Sequence, residues 1–416
     1  MGLCLEGSFM KLSFSDFKEA YNSLRKVIHP TPLIHNEWLS KQYKCQVYLK
    51  LENMLPIGSF KMRGATYKIS QLTEEEKKQG VLAVSAGNHA QGVAWAAQRF
   101  GVKATIIMPE GSPLTKIRNT ETLGAKVILH GNSIEDGFAY AQELMKENKM
   151  VFVHPYHDPM VIAGQGSVGF ELMEQIPDMD YVFSSIGGGG LVSGIGQVLK
   201  GSESKAKVIA GQATGCSGMV HSLNAGKIIQ IEKAQTFADG IRVKNVAQDM
   251  YNLLKEVVHS SHSVDDEKMA WAILQLMEKA RVIAEGAGAL PLALFDQLYK
   301  EDPTPYEGKK IVLVVCGGNI DVNLLERIID RGLLESHRKV RISVPIADQP
   351  GILHQLTGII KDVGANILQV VHDRDSSNTG ITGTNVVFTL ETKGELHLNK
   401  LIIEMKKDFP LCQIII

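Results

Sequence analysis

Tyr181-Val182-Phe183-Ser184-Ser185-Ile186-Gly187-Gly188-Gly189-Gly190-Leu191 runs from a strand pattern into four glycines and then into helical spacing. A strand that turns directly into a helix is the unit of a parallel sheet, because parallel neighbours need a crossover rather than a hairpin. The same signal recurs on both sides of this stretch. Val81 to Ser85 reads as a buried strand before a helix over Asn88 to Arg99. Ala104 to Met108 and Val127 to His130 are further apolar runs, each followed by a helical pattern, and Val208 to Gly211 and Ile311 to Cys316 continue the series. The fold class is α/β, with doubly wound, mostly parallel sheets. Ligands of such sheets bind outside the carboxyl ends of the strands. The informative loops are therefore Ser85-Ala86-Gly87-Asn88-His89, Gly187 to Gly190, and Cys316-Gly317-Gly318-Asn319.

Upstream, Ser13 or Ser15 can cap a first helix with apolar Phe17, Tyr21, Leu24 and Val27 at three- and four-residue spacing; His29-Pro30-Thr31-Pro32 ends it. Val47 to Leu51 alternates like a strand and leads to Gly58-Ser59-Phe60-Lys61-Met62-Arg63-Gly64, where another helical pattern begins. After the polar linker Ser336-His337-Arg338-Lys339 the character changes. Strand (Val340 to Val344), helix (Gly351 to Val363), strand (Asn366 to His372), strand (Gly383 to Glu391), helix (Leu396 to Lys406) and strand (Pro410 to Ile416) follow in the ferredoxin-like βαββαβ order. Ile414-Ile415-Ile416 reads as its last buried strand. The domain reading is a larger unit over residues 11–335, with a smaller subdomain over roughly residues 50–155 inserted in it, and a module over residues 339–416.

The chain has 416 residues, enough for two or three domains. Its 44 basic and 45 acidic side chains leave a net charge of −1, with no basic surplus for nucleic acid or an anionic membrane. Cys4, Cys45, Cys216, Cys316 and Cys412 are scattered, odd in number and without a CxxC pair, which reads as reduced thiols in a cytoplasmic protein. No apolar run reaches membrane-spanning length. Met1 to Phe9 lacks the basic start and apolar run of a signal peptide, and Met10 is an alternative start.

Taken alone, Lys61 would be an ordinary solvated lysine. Its setting between small and apolar residues allows a partly desolvated amine of lowered pKa, a nucleophile, and two glycine-rich stretches far downstream favour that reading. Gly187 to Gly190 can bring several backbone N–H groups close to an anion at a helix N-terminus, which carries about half a positive charge. It is not a phosphate loop of the nucleotide type, because no Gly-Lys-Ser/Thr follows. A lysine amine plus a phosphate cradle without a nucleotide motif suggests pyridoxal phosphate, its aldehyde on Lys61 and its phosphate on the glycines. Cys316, at a strand end, is either a small core residue or a neighbour of the ring nitrogen. Asn88 is either a helix cap or a ligand of the ring hydroxyl, with Ser85 and His89 near a substrate carboxylate.

Ser59-Phe60-Lys61-Met62-Arg63-Gly64, Ser85-Ala86-Gly87-Asn88-His89-Ala90-Gln91-Gly92, Gly187 to Leu191 and Cys316-Gly317-Gly318-Asn319 resemble, in order, four signatures of pyridoxal-phosphate threonine dehydratases. These belong to the tryptophan-synthase-β-like (fold type II) enzymes. The resemblance covers residues 11–332. His154-Pro155-Tyr156 and Ala163-Gly164-Gln165-Gly166 are similar to further stretches of that family, and Asp348-Gln349-Pro350-Gly351 resembles the ligand-contacting turn of an amino-acid-sensing ACT domain. The resemblance implies Lys61 as the catalytic residue. It implies Phe60, Lys61, Asn88, Gly187, Gly188, Gly189, Gly190, Leu191 and Cys316 around the cofactor, and Ser85, Ala86, Gly87, Asn88 and His89 around the substrate. An amino-acid effector would be met by Asp348, Gln349, Pro350, Gly351 and Asn366.

The implied reaction removes the β-hydroxyl of L-threonine, and of L-serine, to give 2-oxobutanoate or pyruvate and ammonia, with Lys61 as general base. A neutral Cys316 thiol would leave the ring nitrogen less protonated than a carboxylate would, favouring fast elimination over a long-lived carbanion. A serine racemase of the same fold and a catalytically silent amino-acid sensor are the alternatives. Racemases of this fold carry a serine as second acid/base in the loop matching Ser85 to His89. Alignment on Gly87-Asn88-His89 places Ala86 there, so racemisation is expected to be minor. Gln212-Ala213-Thr214-Gly215-Cys216-Ser217-Gly218 lacks the carboxylates that hold a divalent ion in some relatives; the expectation is no metal site and little response to Mg²⁺. The small C-terminal module is expected to pair with a second copy, giving a homodimer or homotetramer, and to bind isoleucine first or valine second.

Overall fold

The computed structural model describes residues 12–373 and 383–415. Met1 to Phe9, Met10, Cys4 and Ile416 lie outside them. The chain forms two compact units, one running to Ile320 and one beginning at Asp321. Among the described residues no helix is long and apolar enough to cross a membrane.

The first unit is built on two sheets. The larger has six strands in the order Leu33–His35, Gln46–Leu51, Lys310–Val315, Tyr181–Ser185, Lys207–Ala213 and Val258–Val264. Only the first pair is antiparallel. The smaller sheet is parallel throughout, in the order Lys126–Leu129, Ala104–Met108, Val81–Val84 and Val151–Phe152. Helices follow the strands, as the crossovers of a parallel sheet require. Val81, Leu82 and Ala83 are fully buried, which is why this strand reads as a continuous apolar run rather than an alternation.

Three neighbouring strands of the larger sheet position the site. Gln46–Leu51 pairs in parallel with Lys310–Val315, and that strand pairs in parallel with Tyr181–Ser185. Their carboxyl ends therefore share one edge. From that edge the chain enters the Lys61 segment, the Cys316 loop and the four glycines. Behind them the helix Lys61–Ser70 packs on the helix Pro159–Gln175 through glycine: a Cβ on Gly164 would lie 2.7 Å from the Gly64 Cα.

The first helix spans Phe14–Leu24, with Ser13 as its cap and Asp16 completing a capping box; Phe17, Tyr21 and Leu24 are buried. Three strands were not anticipated. Val258–Val264 carries polar residues at its centre (His259, Ser260, Ser261, His262 and Ser263) and lies at an edge of its sheet, so it has no apolar run. Leu33–His35 and Val151–Phe152 are too short to show a period.

The second unit opens with the helix Val322–Glu335, so that helix clusters with the C-terminal module, on the far side of a boundary expected near residue 336. Lys339–Ala347, Asn366–Asp373, Gly383–Glu391 and Gln413–Ile414 form an antiparallel sheet, interleaved with the helices Ile352–Val363 and Glu395–Asp408. The spatial order puts the first and third strands of the module in the centre, as in a ferredoxin-like fold. Ile342, Val344, Leu356, Phe388 and Leu401 make its core. The last strand corrects the sequence reading. Ile414 and Ile415 are exposed, because the strand is only two residues long and lies at the sheet edge.

Candidate active site

Lys61 opens the helix Lys61–Ser70 after Phe60, and its backbone N–H donates to Ser59 Oγ (3.3 Å). The preceding turn is stitched to the Cys316 loop. Phe60 N donates to the Cys316 carbonyl (3.0 Å), Gly318 N donates to the Gly58 carbonyl (2.9 Å), and Ser59 bridges to Gly317. Lys61 Nζ donates to the Pro155 carbonyl at 2.7 Å. Burial lowers the Lys61 amine to about 8, against the opposing influence of Cys316 and Glu285. The expectation of a desolvated amine thus has its physical cause: the ammonium loses water and gains one neutral carbonyl in its place.

Two residues after Lys61, Arg63 enters a buried charge network that the sequence reading missed. Arg63 Nε meets Glu52 Oε2 at 2.6 Å and its Nη1 meets Glu171 Oε1 at 2.5 Å. Lys50 Nζ meets Glu171 Oε2 at 2.5 Å, and Thr31 Oγ1 donates to Glu52 (2.6 Å). Two cations and two anions balance, so charges that would be costly alone are paired and hydrogen-bonded. This ties the Lys61 helix to the end of the strand Gln46–Leu51 and to the helix Pro159–Gln175.

The four glycines join the strand Tyr181–Ser185 to the helix Gly190–Gly201. Gly189 has φ +96°, a conformation that favours glycine. Tyr156 covers the loop so closely that a Cβ on Gly188 would lie 2.1 Å from its ring. Leu191 is buried beneath. Free N–H groups at a helix start and a backbone without side chains fit a phosphate group. Pro155 and Tyr156 connect this loop to Lys61, since one accepts from Nζ and the next covers Gly188. The small Ser185 and Cys316 end neighbouring strands, with Sγ 3.3 Å from Ser185 Oγ. Burial pushes the Cys316 thiol up to about 12, so it is neutral.

Asn88 starts the helix Asn88–Phe100 after the strand Val81–Val84. Its Nδ2 donates to Glu285 Oε1 (2.7 Å), and its Oδ1 accepts from Asn319 Nδ2 (2.8 Å). The structure thus brings Lys61, Asn88 and Cys316 together and adds Glu285 and Asn319. Burial raises the Glu285 carboxyl to about 7. In the Ser85 to His89 loop, Ser85 Oγ accepts from Gly87 N (3.1 Å), and Ala86 is partly buried against the core of the smaller sheet. The His89 ring has a partner elsewhere. It is buried, with Nε2 2.8 Å from the Val153 carbonyl, and burial lowers it to about 3. Against a carbonyl Nε2 is the protonated nitrogen, so Nδ1 is an acceptor and the neutral ring has no donor left for a substrate carboxylate.

In the second unit, Asp348, Gln349, Pro350 and Gly351 form an exposed turn, and Gly351 has φ +94° at the start of the helix Ile352–Val363. Asn366 Nδ2 donates to Glu391 Oε2 (3.2 Å) across a strand pair, so an acid not singled out from the sequence lies beside it.

The residues of the first unit fit pyridoxal phosphate: an amine of lowered pKa, a side-chain-free cradle at a helix start, and small residues at the strand ends. The protein is similar to an L-threonine ammonia-lyase of Thermotoga maritima, 45% identical over 390 residues that cover 94% of this chain and 96% of that one. Among solved structures it is similar to the processed form of threonine deaminase isoform 2 from Solanum lycopersicum, with TM-score 0.73 and 31% identity over 80% of this chain and 98% of that one. It is also similar to maize serine racemase, with TM-score 0.72 and 31% identity over 79% of this chain and all of that one. The family model described as pyridoxal-phosphate dependent enzyme matches residues 24–317. Because that match takes in Lys61, Asn88, the four glycines and Cys316 and spans most of the sequence, the chain belongs to the family of pyridoxal-phosphate dependent enzymes.

Proposed function

We infer that the chain is an L-threonine ammonia-lyase that converts L-threonine, and also L-serine, into the 2-oxo acid and ammonia. The observation that carries this reading is the similarity to the Thermotoga maritima ammonia-lyase along nearly the full length of both chains. When bound, pyridoxal phosphate supplies an electrophilic aldehyde and a ring that accepts the electron pair left when the substrate loses its α-proton. Lys61 Nζ is the group that takes that proton, since its lowered pKa keeps a useful fraction neutral near pH 7 to 8. The N–H groups of Gly187 to Gly190 and Leu191 would hold its phosphate. Asn88 would position the ring, and a neutral Cys316 thiol would leave the ring nitrogen without a strong proton partner. The β-hydroxyl leaves as water, a water is taken back as the resulting imine hydrolyses, and ammonia leaves, so threonine becomes 2-oxobutanoate and ammonia with no net change in water.

The test measures 2-oxo acid release from L-threonine and L-serine, with Lys61→Ala as the control. Loss of a general base predicts a fall of at least about 10²- to 10⁴-fold, together with loss of the visible absorbance that borohydride bleaches. A Lys61→Ala chain that kept both would overturn the assignment. The similarity to maize serine racemase supports a second reading, racemisation of serine. Ala86 counts against it, because a methyl group has no transferable proton.

For the second unit we propose an amino-acid-binding ACT module that tunes activity. Support comes from its ferredoxin-like strand order, the glycine turn at Asp348 to Gly351 and the polar pair Asn366–Glu391. Pairing with a second copy, as a homodimer or homotetramer, is supported by the exposed Leu368, Val370 and Val371 on the strand Asn366–Asp373. An effector carboxylate would lie at the turn and its amine beside the Asn366–Glu391 pair, and because these lie at opposite ends of one sheet the two would meet only across paired copies.

A further inference from the structure

The orientation of the Asn88 amide follows from its neighbours. Asn319 Nδ2 donates to the Ile57 carbonyl at 2.8 Å and to Asn88 Oδ1 at 2.8 Å. A backbone carbonyl can only accept, so the Asn319 atom on it must be the amide nitrogen. The second hydrogen of that nitrogen needs an acceptor, and Asn88 must therefore turn its oxygen to Asn319 and its nitrogen away. Asn88 Nδ2 then reaches Glu285 Oε1 at 2.7 Å, and a carboxyl oxygen is the acceptor this assignment requires. The relay is consistent at both ends.

Glu285 is built into this place. Its backbone N–H donates to the Gly317 carbonyl (3.1 Å), and it caps the helix Gly286–Glu301. A Cβ on Gly317 would lie 2.4 Å from Glu285 Oε1, so the carboxyl needs glycine at position 317. Proton removal by Lys61 does not use Glu285. An Nδ2 amide carries two hydrogens, and Glu285 takes one.

We propose that Glu285 is a positioning residue for pyridoxal phosphate: by accepting one hydrogen of Asn88 Nδ2, it presents the other as a donor to the ring hydroxyl oxygen of the cofactor. This rests on the cofactor site proposed above. An ionised acceptor polarises the amide and makes it a better donor than a neutral one does. The charged and titratable groups acting on Glu285 are Lys61, Cys316, Lys116 and Asp239. All four side chains remain in a Glu285 variant, but Glu285 also raises the Lys61 amine and the Cys316 thiol, so the variant-to-wild-type ratio carries those shifts too, and the Asn88→Ala background is what separates the relay from them.

The experiment measures pyridoxal phosphate dissociation constants and visible spectra for the full-length apo chain and its variants between pH 6 and 8.5. Losing one charge-assisted hydrogen bond predicts about tenfold weaker binding for Glu285→Ala, with a shifted visible band. Glu285→Gln keeps an acceptor oxygen, so it should bind close to wild type at pH 6 and fall behind as pH rises through about 7. The decisive comparison is a cycle with Asn88→Ala, in which Glu285→Gln at pH 8.5 should add nothing. Equal loss from Glu285→Gln in both backgrounds, or a Glu285→Gln to wild-type ratio flat across the pH range, would overturn the proposal. A wild-type chain that takes up no pyridoxal phosphate would overturn the cofactor site, and this relay with it.

Discussion

Gly64 and Gly164 touch through their backbones: a Cβ on Gly164 would come within 2.7 Å of the Gly64 Cα and 2.9 Å of the Arg63 carbonyl oxygen. Both obstacles are main chain and cannot swing aside. Gly164→Ala must push the helix Lys61–Ser70 away from the helix Pro159–Gln175. Overpacking of this kind costs about 1–3 kcal/mol. Chemical denaturation of the apo chain should show a loss of that size. Because Lys61 lies three residues before Gly64, cofactor affinity should fall as well. An unchanged midpoint would mean that the helices part without cost.

The Lys61 amine also sets a pH dependence. Burial lowers it from 10.5 to about 8, so the neutral, nucleophilic form becomes the majority above pH 8 and falls about tenfold per unit below it. The rate at which apo chain gains visible absorbance on mixing with pyridoxal phosphate should rise with pH and level off near 8. An amine of ordinary pKa would keep gaining to beyond pH 10, and that curve would show the desolvation argument to be wrong.

The Arg63 network predicts stability rather than rate. Burial alone would raise the Glu171 carboxyl, but Arg63 and Lys50 outweigh it and hold it below its ordinary value of 4.5. A carboxyl with a depressed folded-state pKa contributes stability that is present above its unfolded value and lost as pH falls through the folded one. The wild type should therefore lose melting temperature below pH 4.5 more steeply than Glu171→Gln. Arg63→Met leaves two buried carboxylates facing only Lys50, and breaking a buried pair costs about 3–5 kcal/mol. A loss below 1 kcal/mol in denaturant titrations would show that water enters and replaces the guanidinium.

How much of this could be read from the chain depended on whether the signal was local. The strand-to-helix turns at Ser85 to His89 and Gly187 to Gly190 are contiguous, so their strands and helices could be placed within a residue or two. The polar edge strand Val258–Val264 has no apolar run to read. Glu285 and Glu171 join their sites across 197 and 108 residues, to Asn88 and Arg63. No periodicity reports contacts of that separation. Their signal was composition alone: Arg63 between Met62 and Gly64 near a helix start, and Glu285 between Ala284 and Gly286 in an apolar, glycine-rich stretch. The setting of the His89 ring was hidden for a related reason. The loop suggested a residue near the substrate carboxylate, but the carbonyl that holds its ring belongs to Val153, 64 residues away.

The last prediction concerns the second unit. Gly351 takes φ +94° where the turn enters the helix Ile352–Val363, and the N–H groups of that helix start offer a place for a carboxylate. Asn366 Nδ2 donates to Glu391 Oε2, which leaves the glutamate an acceptor able to take a further hydrogen from an ammonium group. The turn follows Ala347, whereas Glu391 pairs with Lys339 at the other end of that strand, so an α-amino acid with an apolar side chain, isoleucine first and valine second, would meet both groups only between two paired copies of the module. To alter activity, the ligand must bind one arrangement of subunits better than another; a coupling of about 1–3 kcal/mol corresponds to a roughly 5- to 150-fold shift. Threonine saturation curves are to be measured at increasing isoleucine for the full chain, for a chain ending at Leu334, and for Glu391→Gln. The full chain should shift its half-saturation point, the shortened chain should not respond, and Glu391→Gln should need more isoleucine for the same shift. If isoleucine moves the full and shortened chains equally, or moves neither, the module does not regulate through this ligand, and its exposed strand face is left with pairing as its role.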